Sequence, residues 1–114
     1  MKTAMSKKLA ITLATMLLLI QPVFGQATFG GSDCGQWVNR RDSAMFKVAV
    51  ESWFAGYMSG TNSMYVAYSK RADALNKVDS LDQMILWMDN YCNKNPLNRV
   101  TTGALELFLE LAKK

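Results

Sequence analysis

Apolar residues recur at intervals of three and four along most of the chain, the spacing of amphipathic helices. No stretch alternates convincingly as a strand would. The longest periodic segment predicts a helix from about Ala44 to Tyr65 or a little beyond. Phe46, Val50, Trp53, Tyr57 and Met64 fall on one row, Gly60 completes it, and Ala49, Phe54 and Met58 widen the stripe. Upstream, SDCGQWVNRR reads as a short first helix capped by Ser32 or Asp33, with Cys34, Trp37 and Val38 on one face. Downstream, Ser80 and Gln83 have the Ser-x-x-Gln spacing of a capping box. Asp79 and Asp82 suit the positive end of that helix, and Leu81, Met84, Ile85, Met88, Tyr91 and Cys92 keep its rhythm.

Pro96 restricts Asn95 to extended geometry, so the pair should end this helix and begin another, with Asn95 as its cap. Leu97, Val100, Ala104, Leu105, Phe108 and Leu111 then share one face. Residues 66–78 fit either an extension of the second helix or a loop with a short helix. The pattern as a whole predicts an all-α fold, a small domain of four to five helices.

Within the long helix, Gly56 and Gly60 share a face, each costing about 0.5–1 kcal/mol relative to Ala. Close packing of another helix or an aromatic ring on that backbone is the expected compensation. The competing assignment makes Ser59, Thr61 and Asn62 a polar binding strip.

The N-terminus belongs to a different class of segment. Lys2, Lys7 and Lys8 precede an apolar run from Leu9 to Ile20, which Gln21 and Pro22 break before small residues follow. This is the layout of a secretory signal peptide. The run, about twelve residues, is short of the roughly 20 of a transmembrane span. The expected organisation is a signal peptide over residues 1–25, cleaved after Gly25 or Ala27, a flexible leader over 26–32, and a helical domain over 33–114. An uncleaved anchor or a buried helix is the alternative. Cleavage implies a periplasmic protein with no stable membrane insertion.

Cleavage changes the charge as well. The whole chain carries a formal +4, but residues 1–25 hold three of its thirteen basic residues and none of its nine acidic ones. The remainder is close to +1, which gives no reason to expect a nucleic-acid partner.

A domain of roughly 90 residues is often marginal without a staple. Cys34 and Cys92 are the only cysteines and the chain has no His. Their separation is far from Cys-x-x-Cys, a zinc site needs about four ligands, and a cysteine nucleophile wants a His base. A disulfide is the expected use, with free buried thiols or an intermolecular bridge as the other possibilities. Closing a loop of that length stabilises by about 4 kcal/mol on the chain-entropy model.

Catalytic chemistry is sparse. There is no Ser-His or Cys-His dyad and no phosphate-binding glycine loop after a strand. Asp82 and Asp89 lie one heptad apart, and Glu106 and Glu110 form an i, i+4 pair. Solvated helix faces explain both better than a sugar-cleaving dyad does. The expectation is a protein that is not an enzyme and has no cofactor or metal.

The order of blocks is more specific. Cys34 has an aromatic residue three on, WFAGYMSG follows about twenty residues later, then WMDNYCNKNP and a final amphipathic helix. This order resembles the HdeA-like group of small exported helical proteins, over most of the chain beyond the leader. The resemblance implies a compact, bridged helical fold in the periplasm. Its best-known members are acid-stress chaperones, folded dimers at neutral pH that come apart in acid and cover apolar patches on unfolding clients. The chain is also similar in general style to an exported immunity protein, which implies one dedicated partner, as would an envelope or secretion component. Trp53, Phe54, Gly56, Tyr57, Met58 and Gly60 are the candidate protein-binding or packing residues. Met45, Met58, Met64, Met84 and Met88 suit an adaptable binding surface as well as a core. Protonating all nine carboxylates would take the mature chain from about +1 to about +10, a self-repulsion that loosens a small domain.

Overall fold

The computed structural model describes residues 30–113. The proposed signal peptide, both cleavage positions and the first residues of the leader lie outside them. Four α-helices make up the described chain: α1 (Cys34–Val38), α2 (Ala44–Ser69), α3 (Leu81–Lys94) and α4 (Val100–Lys113). Single 3-10 turns at Asn39–Asp42 and Ala74–Lys77 lead into α2 and α3. The fold is all-α, as the periodicity predicts, and Cys34 is bridged to Cys92 across 58 residues.

Local signals set most of the boundaries. Asp33 caps α1: its carboxylate accepts from Gln36 N at 2.8 Å while Gln36 Oε1 accepts from Asp33 N, a reciprocal capping box. Ser43 caps α2 by accepting from Phe46 N. The helix runs four residues past Tyr65 and stops at Lys70, whose left-handed φ of 56° lets its N–H reach Val66 O. Ser80 caps α3 as expected, but Gln83 Oε1 accepts from Asp79 N, one residue before the cap, so the box is not reciprocal. Asn62, buried on α2, accepts from Ala74 N and donates to Asp73, which fixes the loop that follows α2.

One expected boundary is wrong. Asn95 does not start the last helix. It finishes α3, with both its N–H and its Nδ2 donating to Tyr91 O. Residues 95–99 form a turn instead, because the chain entering α1 competes for their backbone. Cys34 N donates to Asn98 O, Val100 N donates to Ser32 O, and Asp33 and Arg99 form an isolated antiparallel bridge. Leu97, expected on the same face as Val100 and Ala104, is consequently 97% exposed. Ser32 is buried by the same pairing, so the last leader residues are a built part of the fold.

The core is one cluster. Trp37 and Cys34 from α1, Val50, Phe54 and Met58 from α2, Met84, Met88, Tyr91 and Cys92 from α3, and Val100, Ala104, Leu107, Phe108 and Leu111 from α4 are all buried. On α2 the buried row is Val50–Phe54–Met58–Asn62, rotated from the expected one. Phe46 and Met64 are exposed and Trp53 and Tyr57 are half-buried at the edge. Between α3 and α4, Tyr91 sets ring atoms Cδ1 and Cε1 against Gly103 and stacks its ring on Trp87, with centroids 5.4 Å apart.

Two substitutions test this packing. A Cβ at Gly103 would sit 2.5 Å from Tyr91 Cδ1, so Gly103→Ala should destabilise by about 1–3 kcal/mol. A Cβ at Gly56 meets nothing within 4 Å, so Gly56→Ala should stabilise by about 0.5–1 kcal/mol through helix propensity. Urea unfolding of the oxidised protein measures both.

Candidate functional site: a buried arginine between two carboxylates

The residues singled out from the sequence do not form a single site. Phe54 and Met58 are fully buried core, and Trp53 and Tyr57 stack on each other beside Gly30 and Gly31. Gly56 and Gly60 are exposed, and nothing lies within 4 Å of where their Cβ atoms would be. The expected packing of a helix or ring on them does not occur within the chain. The polar strip is not assembled either. Ser59 and Thr61 hydroxyls donate to the carbonyls of Ala55 and Tyr57 one turn back, while Asn62 faces inward.

The unusual electrostatics lie at the other edge of α2. Arg40, in the 3-10 turn after α1, is 1% exposed. Its Nε donates to Glu51 Oε1 at 2.9 Å, and its Nη1 donates to Asp89 Oδ1 at 2.7 Å and to Trp37 O at 2.9 Å. The guanidinium lies over the Trp37 ring, 4.3 Å from its centroid. Nη2 is buried and makes no hydrogen bond among the described residues.

Each carboxylate is shared. Asp89 also accepts from Trp37 Nε1 at 2.8 Å and from Arg41 Nη2 at 3.0 Å. Glu51 also accepts from Lys47 Nζ at 2.8 Å, an i, i+4 pair on α2. Three cations and two anions from the turn after α1, from α2 and from α3 thus meet at one point. A groove of about 230 Å³ runs over them, with Asp82 on its wall.

The local sequence explains why a charge is buried here. α1 is only five residues long, and its last turn rewinds into the 3-10 turn, which swings Arg40 back under Trp37. Glu51 is the one acid of α2 and flanks the buried Val50 and Phe54, so it meets the arginine from the core side. Burial pushes the Glu51 carboxyl up. The hydrogen bonds from Lys47 and Arg40, together with their charges, outweigh burial and hold it below its ordinary value of 4.5.

The sequence reading missed this cluster. Arg40 and Arg41 read only as the end of the first helix, and Asp89 reads as half of a solvated pair with Asp82. One signal was available: Lys47 and Glu51 are the only charges in a 26-residue helix, and Glu51 adjoins the apolar row.

The arrangement can respond to protons. A carboxyl with a lowered folded pKa stabilises the fold above its unfolded value, and that stability is lost as pH falls through the lower, folded value. For Glu51 the loss therefore begins below about 4.5. Once Glu51 is protonated, the buried Arg40 loses one of its two counter-ions while Lys47 and Arg41 stay charged nearby.

Elsewhere, a groove of about 300 Å³ is lined by Trp87, Asn90, Tyr91, Lys94 and Asn95. Among the described residues no group of three or more His, Cys, Asp or Glu is placed to hold a metal, and no helix is long and apolar enough to cross a membrane. No family model, curated protein or solved structure matches the chain.

Removing one side of the cluster should be costly at neutral pH. Arg40→Ala is expected to destabilise by about 3–5 kcal/mol at pH 7, because it leaves two carboxylates without their shared partner. Glu51→Gln should cost about 1–3 kcal/mol at pH 7, and the difference from wild type should vanish at pH values where Glu51 is protonated. Urea unfolding at pH 7 and pH 3 reads both.

Proposed function

We propose that this chain is a non-enzymatic protein-binding domain of the cell envelope that acid converts into a chaperone for unfolding clients. The observation that carries the proposal is the burial of Arg40 between Glu51 and Asp89. The resemblance to HdeA-like proteins points the same way, as does the signal-like N-terminus.

The physical sequence runs through α1. Its first residue is held to α3 by the Cys34–Cys92 bond, which pH does not touch. Its far end is held by ionic bonds that protonation removes. At neutral pH the two fastenings close α1 over Phe54, with Trp37 packed edge-on against that ring at 5.3 Å. In acid the Arg40 end is released while the bridged end stays. The turn lifts, and Trp37, Phe54 and the adjoining Met88 become available as an adaptable apolar surface. The bridge keeps these residues near one another, so the surface is a patch and not a random chain. Returning to neutral pH restores both counter-ions and closes it.

The proposal is tested with the oxidised protein and an aggregation-prone envelope extract taken to about pH 2–3 and back to neutrality, followed by light scattering. Dose-dependent suppression that is lost when the bridge is reduced is the expected result. A folded protein with no suppression would overturn the chaperone assignment and shift the search to one dedicated partner at neutral pH.

A further inference from the structure

The groove at the C-terminal end of α3 is lined by two neighbouring rows of side chains. Trp87, Tyr91 and Asn95 follow one another at intervals of four, and Asn90 and Lys94 form the row beside them. Its volume of about 300 Å³ is at the lower end of the range for small-ligand sites, and aromatic rings with a few polar groups are the usual lining of such sites.

The aromatic row is fixed before any ligand arrives. Tyr91 is buried, with its ring against Gly103. Its hydroxyl accepts from Asn98 Nδ2 at 2.8 Å and donates to Glu106 Oε1 at 3.3 Å. Trp87 stacks on that ring with the two planes 11° apart. A half-buried indole is thereby held at the groove with little rotamer freedom left to lose on binding.

The polar groups around it are unspent. The indole N–H of Trp37 donates to Asp89, but that of Trp87 has no acceptor among the described residues. The side chains of Asn90 and Lys94 are exposed and make no hydrogen bond or ion pair among those residues. Asn95 uses its Nδ2 on Tyr91 O and keeps Oδ1 as an acceptor. The groove thus offers an aromatic surface, two carboxamides, an ammonium and an indole donor, and none of its five lining residues is acidic.

A ligand for this set needs an apolar face for the rings and a rim that both donates and accepts. A positive charge would be repelled by Lys94. A pyranose ring has that form, with C–H groups on its face and hydroxyls around its edge. An acetamido substituent adds one carbonyl and one N–H, which pair reciprocally with a carboxamide such as that of Asn90. We infer that this groove binds a glycan of N-acetylated hexopyranose units, with Trp87 against a sugar ring and Asn90, Lys94 and Asn95 on its polar edge. The inference goes beyond the chaperone reading and does not depend on it, since no lining residue belongs to the Arg40 cluster and binding requires no acid. A shallow site that takes about one ring gives a Kd on the order of millimolar.

Two-dimensional nitrogen–proton NMR of the oxidised protein at neutral pH tests the inference, with the chitin trimer of N-acetylglucosamine added to about 20 mM. The Trp87 indole resonance should shift saturably while those of Trp37 and Trp53 stay in place. Maltotriose, a trimer without acetamido groups, should bind at least about tenfold more weakly. Asn90→Ala changes an exposed side chain with no partner in the fold, so it should stay folded and weaken binding by about five- to tenfold. Trp87→Leu should abolish binding, with the Trp37 indole at its native position showing that the fold is kept. A Trp87 resonance unmoved by the chitin trimer, equal affinity for maltotriose, or unchanged affinity in Asn90→Ala would overturn the inference. So would tighter binding of N-acetyltryptophan amide than of the trimer, which would assign the groove to an aromatic peptide side chain.

Discussion

A single guanidinium holds the first half of this fold against the second. Arg40 is almost entirely buried, and a buried charge is tolerable only while its partners are charged and in place. Those partners come from separate elements: the carbonyl and ring of Trp37 from α1, Glu51 from α2 and Asp89 from α3. Satisfying one side chain therefore fixes the relative placement of three helices. The cost of breaking the cluster exceeds any benefit of making it, since well-packed apolar residues could replace such a cluster at little loss.

The disulfide supplies the complementary constraint. Cys34 and Arg40 lie at opposite ends of one short helical segment, and both ends are tied to α3, at Cys92 and Asp89. One tie is covalent and insensitive to acid, and the other is ionic. The rest of the core, built from α3 and α4 around Tyr91 and Gly103, contains no comparable buried ion pair among the described residues.

Much of this was legible in the sequence, for identifiable reasons. The helices announce themselves through three-four spacing, and α1 and α3 begin at side chains whose chemistry caps helices. Two cysteines with no histidine leave little other use than a bridge. The rotation of α2 was not legible, because its outward face has no charges to contrast with its inward one. Its true core row, Val50–Phe54–Met58, was available but looked no more apolar than its neighbours. The start of α4 was misplaced because Asn98 and Val100 are claimed by backbone 64 and 68 residues away, at Cys34 and Ser32, a contact that no local rule encodes. The Arg40 cluster escaped for the same reason: its partners lie 11 and 49 residues distant.

The most direct measurement follows the indole Nε1–H of Trp37, which donates to Asp89 inside the cluster. Its resonance can be resolved from those of Trp53 and Trp87 by two-dimensional nitrogen–proton NMR with the Cys34–Cys92 bond intact. If the ionic fastening is the acid-sensitive element, this resonance leaves its native position as pH falls from about 5 to about 2, and returns on neutralisation. The Trp87 indole, stacked on Tyr91 away from the cluster, should move later or not at all. A Trp37 resonance that keeps its native position at pH 2, or one that moves only with global loss of all three signals, would contradict the role assigned to Arg40.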